Sequence, residues 1–225
     1  HSAHFQDNLA GIFVTPDGTV FANSVWDEGD QNGGIYRDGL TVGKLAGHKG
    51  RGGQDITADA SFIYALTENG VTRFNLNGSR NDFPNVIYPQ PYVELRFRGV
   101  AVRGNELFAS DTADNLVRVF DKSTGLQLRQ WSLARPRKMA FDPQGNLWLI
   151  QAPAAGSPAK LLRYDAAGTK LAQEISGPAG FDPSALCFDP AGRMLVADNG
   201  PDQQVKIYTN YNTASQSVPL ATFGA

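Results

Sequence analysis

The chain has 225 residues, of which 41% are hydrophobic and 19% charged, enough for one domain with a substantial core. Its formal net charge of −2 gives no bulk electrostatic reason to expect nucleic acid or a membrane surface as a partner. No apolar run approaches the roughly 18–20 residues that are needed to span a bilayer.

Taken in chain order, the predicted elements repeat one unit five times. Each unit opens with an apolar strand and a tight turn, and the turn residues Gly18, Ser61, Gly104, Gly145 and Gly192 are spaced by 41–47 residues. A second and a third strand follow, as in L-F-A-S-D and V-R-V-F-D. This period predicts an all-β fold, a β-propeller of four-stranded antiparallel blades within one domain, residues 1–225. Five blades are recognisable, at residues 10–47, 54–93, 94–134, 135–179 and 180–225.

Two segments, 98–121 and 183–208, carry the pattern L-F-A-S-D-T or M-L-V-A-D-N and then an alternating strand. This pattern resembles the NHL repeat, and the resemblance extends over nearly the whole chain. The family usually closes a ring of six blades, and the final A-T-F-G-A resembles the exit from an outer strand. The resemblance therefore implies a sixth blade outside these residues, so that the chain belongs to a longer protein or a larger assembly.

Two loop regions in the first half of the chain are an insertion in the first blade and a proline-rich segment in the second. The insertion W-D-E-G-D-Q-N-G-G in the first blade contains Trp26, which is either a packing residue or a stacking platform for a ligand. Its acidic residues lack the spacing of a calcium loop, so no metal site is predicted. In the second blade, F-P-N-V-I-Y-P-Q-P-Y is predicted to be an edge strand and its exit, because proline cannot donate to a ladder.

Positively charged residues precede the first strand of several blades. A glycine-rich loop, residues 43–53, is either a solvated turn or an anion-binding loop. This loop and the residues before the first strands of the third and fourth blades together predict a basic face. Acidic loop residues partly neutralise its positive charge. The predicted ligand-binding residues are His48, Lys49, Arg51, Arg98, Arg137, Lys138 and Trp26, with Arg96 and Arg135 as further cations on the same face.

Catalytic and metal-binding patterns are scarce. Histidine occurs only at positions 1, 4 and 48, and among the starts of the first strands only Asp55 has the chemistry of the metal ligands found in six-bladed relatives. We therefore predict no catalytic residue, no metal and no cofactor. The strand-end aspartates Asp111 and Asp198 are predicted to cap loop backbone. The single cysteine, Cys187, is predicted to be a small buried core residue.

These observations favour a non-enzymatic interaction platform of the NHL-like type, docking a protein, a glycan or another anionic ligand on one face. Neither nucleic acid nor a membrane span is expected. The alternative is a lyase or hydrolase of the six-bladed propeller superfamily, with a site completed by residues outside this chain. Few lysines, abundant Asn and Gln, and the resemblance to bacterial secreted repeat proteins suggest an extracytoplasmic location, periplasmic or secreted.

Overall fold

The computed structural model describes residues 9–24, 34–44, 52–212 and 219–224. The chain divides into two compact units, residues 1–129 and 130–225, and each unit is considered by itself. The fold class is all-β, with five antiparallel sheets that are the blades of a β-propeller, as predicted. No helix occurs in the described ranges.

The first unit contains the first three blades. The first blade is formed by β1–β4, the second by β5–β7, and the third by β8–β11, whose last strand crosses the unit boundary. The strands are β1 (Leu9–Val14), β2 (Val20–Ser24), β3 (Gly34–Arg37), β4 (Leu40–Lys44), β5 (Gly52–Ala58), β6 (Phe62–Thr67), β7 (Val71–Asn75), β8 (Phe97–Arg103), β9 (Glu106–Asp111), β10 (Leu116–Asp121) and β11 (Gln127–Ser132).

The second unit contains the fourth and fifth blades, each with four strands in sequential order. The strands are β12 (Pro136–Phe141), β13 (Leu147–Gln151), β14 (Lys160–Tyr164), β15 (Lys170–Ser176), β16 (Pro183–Phe188), β17 (Met194–Asp198), β18 (Gln204–Tyr208) and β19 (Ala221–Phe223).

The predicted turns after the first strands have the backbone that their sequences favour. Gly18 and Gly145 take positive φ angles of 88° and 81°, which cost a glycine little and a residue with a Cβ more. Period-2 alternation then sends side chains of strands such as β6, β8, β13 and β17 into apolar clusters between successive blades. Within the first unit, for example, Tyr64 and Leu66 of β6 pack with Phe97 and Val100 of β8.

The second blade differs from the prediction because its outer segment is not a regular strand. Only two isolated bridges join it to β7, Phe74 with Arg80 and Val71 with Ile87. The buried Arg73 side chain compensates for the missing ladder. Its guanidinium donates to the carbonyls of residues 81, 82, 122 and 123, and it lies over the rings of Phe62 and Phe83. Hydrogen bonds and cation–π contacts from one side chain thus hold this segment.

The prediction for Cys187 is wrong, because its side chain is exposed. Its neighbours on β16, Leu186 and Phe188, pack in the apolar cluster of the second unit. Successive side chains of a strand point to opposite faces, so Cys187 faces away from that cluster.

Candidate functional site

A register shift, typical of a β-bulge, interrupts the pairing near the start of the first strand of every blade. The shifts fall within residues 9–11, 52–56, 97–100, 136–139 and 183–185. A bulge leaves residues outside the ladder and re-aims their side chains, and bulges are enriched beside functional sites. We call these five segments the first-strand bulges. They contain three of the predicted ligand-binding residues, Arg98, Arg137 and Lys138.

In the first unit, polar side chains connect one bulge to the next. The buried Asn23 of β2 donates through Nδ2 to the carbonyls of Gly53 and Asp55. The buried carboxylate of Asp55 accepts the N–H of Val100 at 3.0 Å, at the end of the bulge that holds Arg98. Asp55 therefore fixes the spacing of two adjacent first strands, and the Arg98 side chain in the second of them is half-buried.

The second unit has a comparable connection between its two bulges. Nη1 of Arg137 donates to Oδ1 of Asp182 at 3.0 Å, directly before β16 begins. Both side chains are about two-fifths exposed, at 39% and 41%. Lys138 is also half-buried, and Ser184 in the next bulge donates to Oδ1 of Asn199 at 3.2 Å.

The other predicted cations have different surroundings. Arg96 is buried and forms ion pairs with Asp111 and Asp114, so it belongs to the structure of the loop face. Arg135 donates to the carbonyl of Ala152 at 3.2 Å, and its φ of 49° places it in the left-handed region before β12. The predictions for His48, Lys49, Arg51 and Trp26 lie outside the described residues.

The structural role predicted for the strand-end aspartates is confirmed by their contacts. Asp111 accepts the N–H of Asp114 at 3.0 Å and is contacted by the guanidinium groups of Arg96 and Arg118. Asp198 accepts the N–H groups of Asp182 and Gly200, both at 2.9 Å, and pairs with Lys206. Both carboxylates therefore bind loop backbone and a cation from the third strand of the same blade.

Asp198 should make the stability of the second unit depend on pH in acid. Burial alone would raise its pKa, but the contacts with Lys206 and the two N–H groups hold the pKa below its usual 3.8. A lowered folded pKa contributes stability that is present above pH 3.8 and is lost as the pH falls through the folded pKa. We expect Asp198→Asn to flatten this loss in urea unfolding measured below about pH 4. A stability difference from the parent that stays constant between about pH 6 and pH 2 would contradict this assignment.

The loop that was predicted to be the exit of an edge strand is instead held firmly over the second and third blades. The buried Asn69 donates to the carbonyl of Pro89 at 2.6 Å and accepts the N–H of Val93 at 2.9 Å. Arg96 donates from Nε to Asn69 Oδ1 and from Nη2 to the carbonyl of Pro91. We call residues 88–95 the tyrosine loop. The only sequence signal for it is the density of prolines.

Metal-ligand clusters and membrane-spanning helices are both absent from the described ranges. No group of three or more His, Cys, Asp and Glu side chains is placed there to hold a metal ion. Among the same residues there is no helix with the length and apolarity to cross a membrane.

No family model and no curated protein sequence matches the chain. Solved structures with a similar fold include virginiamycin B lyase from Staphylococcus aureus, at 13% identity and a TM-score of 0.67 over 90% of this chain and 67% of the lyase. A putative 6-phosphogluconolactonase from Bacteroides fragilis is 15% identical, with a TM-score of 0.68 over 99% of this chain and 72% of its own. A protein of unknown function from Bacteroides caccae is 12% identical, with a TM-score of 0.68 over 98% and 84%. At such identities the likeness concerns the fold alone, and this chain has the fold of a five-bladed β-propeller with propeller neighbours.

Proposed function

We propose that the chain is a non-enzymatic binding module whose repeats are of the NHL type and whose first-strand bulges hold an anionic ligand. The ligand class is an acidic or sulfated glycan, a phosphorylated small molecule or an acidic protein segment. An extracytoplasmic location is part of the same proposal. The observation that carries it is the position of Arg98, Arg137 and Lys138, all three of which lie in bulges.

The contacts of Arg137 suit exchange of a carboxylate for a ligand. Its pair with Asp182 is substantially exposed, and a pair of this kind contributes at most about 1 kcal/mol to stability. A phosphate, sulfate or carboxylate can take the place of Asp182 at little cost, and the guanidinium fork binds such groups in bidentate fashion. Lys138 follows directly and adds a second cation on the same bulge.

The first unit offers a weaker version of the same site. Arg98 is two residues before Val100, whose N–H is engaged by the carboxylate of Asp55. The bulge of β8 holds one cation, whereas the bulge of β12 carries two consecutive cations. The second unit is therefore the stronger candidate for anion binding.

We expect Arg137→Ala to weaken binding of a sulfated disaccharide or of inorganic phosphate by about 10-fold or more, because a charge-assisted hydrogen bond contributes about 1.5–3 kcal/mol. Lys138→Ala should weaken it less, and Arg98→Ala should affect only binding by the first unit. Calorimetric titration at low ionic strength measures the effect, and added salt should reduce the affinity of the parent by screening.

Arg193→Ala provides the matched control. Arg193 lies at the opposite end of the fifth blade, half-exposed and bonded to Asp189 at 2.6 Å, so its loss should leave anion affinity unchanged. Equal losses of anion affinity in the Arg137 and Arg193 variants would show that the effect arises only from the change in net charge. Chemical conversion of the bound probe would refute the non-enzymatic proposal and favour the lyase or hydrolase alternative.

A further inference from the structure

The turn between β6 and β7 buries a carboxylate that lacks a complete set of partners. Glu68 is only 5% exposed, and its Oε2 has no hydrogen-bond partner among the described residues. The hydroxyl oxygens of Thr67, at the end of β6, and of Thr72, on β7, are likewise buried without a partner in the part of the chain that the structure describes. Leaving an ionised carboxylate buried and unpaired is costly, so a buried oxygen of this kind indicates a missing donor.

The tyrosine loop faces this carboxylate. The hydroxyl of Tyr92 donates to Glu68, and the ring of Tyr88 lies against Gly70, where an added Cβ would come within 3.0 Å of its Cδ2. Asn69 and Arg96 hold the loop through the carbonyls of Pro89 and Pro91. The two aromatic rings are therefore positioned by buried side chains rather than by the loop alone.

The electrostatic potential around the Glu68 carboxylate and the two tyrosines is negative. Burial, the hydrogen bond to Glu68 and the charges of Glu68 and Glu94 raise the pKa of Tyr92. Burial and the charge of Glu68 also raise the pKa of Tyr88. The guanidinium of Arg96, which donates to the adjacent residue Asn69, is occupied by Asp111 and Asp114. A cation is therefore attracted to this position and an anion repelled.

We propose that Glu68, Tyr88, Tyr92 and Glu94 form a binding site for a primary ammonium group. An aromatic face attracts cations in general, but only an ammonium that carries N–H can also donate to Oε2 of Glu68. The site should therefore prefer a primary ammonium to a quaternary one. It is independent of the anion-binding proposal, since it uses none of the bulge cations.

Residues 90–94 of the tyrosine loop are exposed. Tyr92 is 39% exposed and Val93 is 36% exposed, so both offer apolar surface at the edge of the site. This surface suits the methylene stem of an alkylamine or of a lysine side chain, whose charged end would then reach the carboxylate.

The test is titration of the ¹⁵N-labelled chain with n-butylammonium chloride, followed through the backbone amides of residues 68–70 and 92–96. We expect saturable shifts at these amides, binding of tetramethylammonium at least about tenfold weaker, and a comparable loss in Glu68→Gln. Tyr92→Ala should weaken binding similarly. Because this change is at an exposed position, it tests the site even if the Glu68 variant misfolds. A blocked lysine peptide that binds more tightly than butylammonium identifies a protein as the source of the amine, and equal affinities identify a free amine.

Three outcomes overturn the proposal: no shifts at these amides, equal binding by Glu68→Gln, or equal affinity for the quaternary ion. Asp202→Asn is the matched charge control. Asp202 is 57% exposed in the second unit, at 3.6 Å from Lys206, and its neutralisation should leave ammonium binding unchanged. A loss in this control equal to that of Glu68→Gln would show only a response to net charge.

Discussion

Replacing Asp142 with alanine should destabilise the second unit by about 3–5 kcal/mol. The carboxylate is buried at the end of β12 and accepts Nε and Nη2 of Arg163 at 2.9 and 2.6 Å. It also accepts Nε1 of Trp148 at 3.3 Å and the N–H of Asn146 at 2.8 Å. Its removal leaves the buried guanidinium of Arg163 without its counter-charge, which is the costly way to break such a pair. Urea unfolding monitored by tryptophan fluorescence measures the loss.

The next blade supplies a matched control for this prediction. Asp189 has the equivalent position before its turn, but its partner Arg193 is half-exposed, so Asp189→Ala should cost only about 1 kcal/mol. The double variant Asp142→Ala/Arg163→Met should recover much of the lost stability, because it removes both charges. Equal losses in the two alanine variants, or no recovery in the double variant, would contradict this account.

The fold could be predicted from the sequence because the information is local and repeated. Alternating apolar residues recur in every blade and a turn glycine in four of the five, and each recurrence supports the others. The outer segment of the second blade could not be predicted in the same way. Its place is maintained by Arg73 and Asn69, whose partners lie on segments between 8 and 50 residues away. No pattern of spacing within the segment itself reveals such contacts.

The candidate site was predicted only in part. The cations at the starts of the first strands were recognised, but the bulges that contain them appear only in the register of the paired strands. Arg96 and Arg98 are two residues apart and were both predicted to lie on the basic face, yet one is buried in an ion-pair network and the other is half-buried in a bulge. Burial depends on the surrounding blades, and this explains why equal residue types acquired different roles.

The Arg96–Asp111 pair should be the second large contributor to stability, and it should also control the tyrosine loop. Both side chains are buried, with Nη1 of Arg96 at 3.1 Å from Oδ2 of Asp111. Asp111→Ala takes away the buried counter-charge and leaves the partly exposed Asp114 as the carboxylate beside that guanidinium, so we expect a loss of about 3–5 kcal/mol in urea unfolding of the first unit. Asp114→Ala, which removes a carboxylate whose side chain is 45% exposed, should cost far less.

Proteolysis of the tyrosine loop provides a measurement that a simple loss of stability would not change. In the double variant Asp111→Ala/Arg96→Met the unpaired charge is gone, so stability should partly recover. The bond from Arg96 Nη2 to the carbonyl of Pro91 is nevertheless lost with the guanidinium. We therefore expect limited proteolysis to cut residues 88–95 faster in the double variant than in the parent, under conditions where both are folded. Cleavage at the parent rate would show that Asn69 alone holds the loop, and that Arg96 acts only as the counter-charge of Asp111.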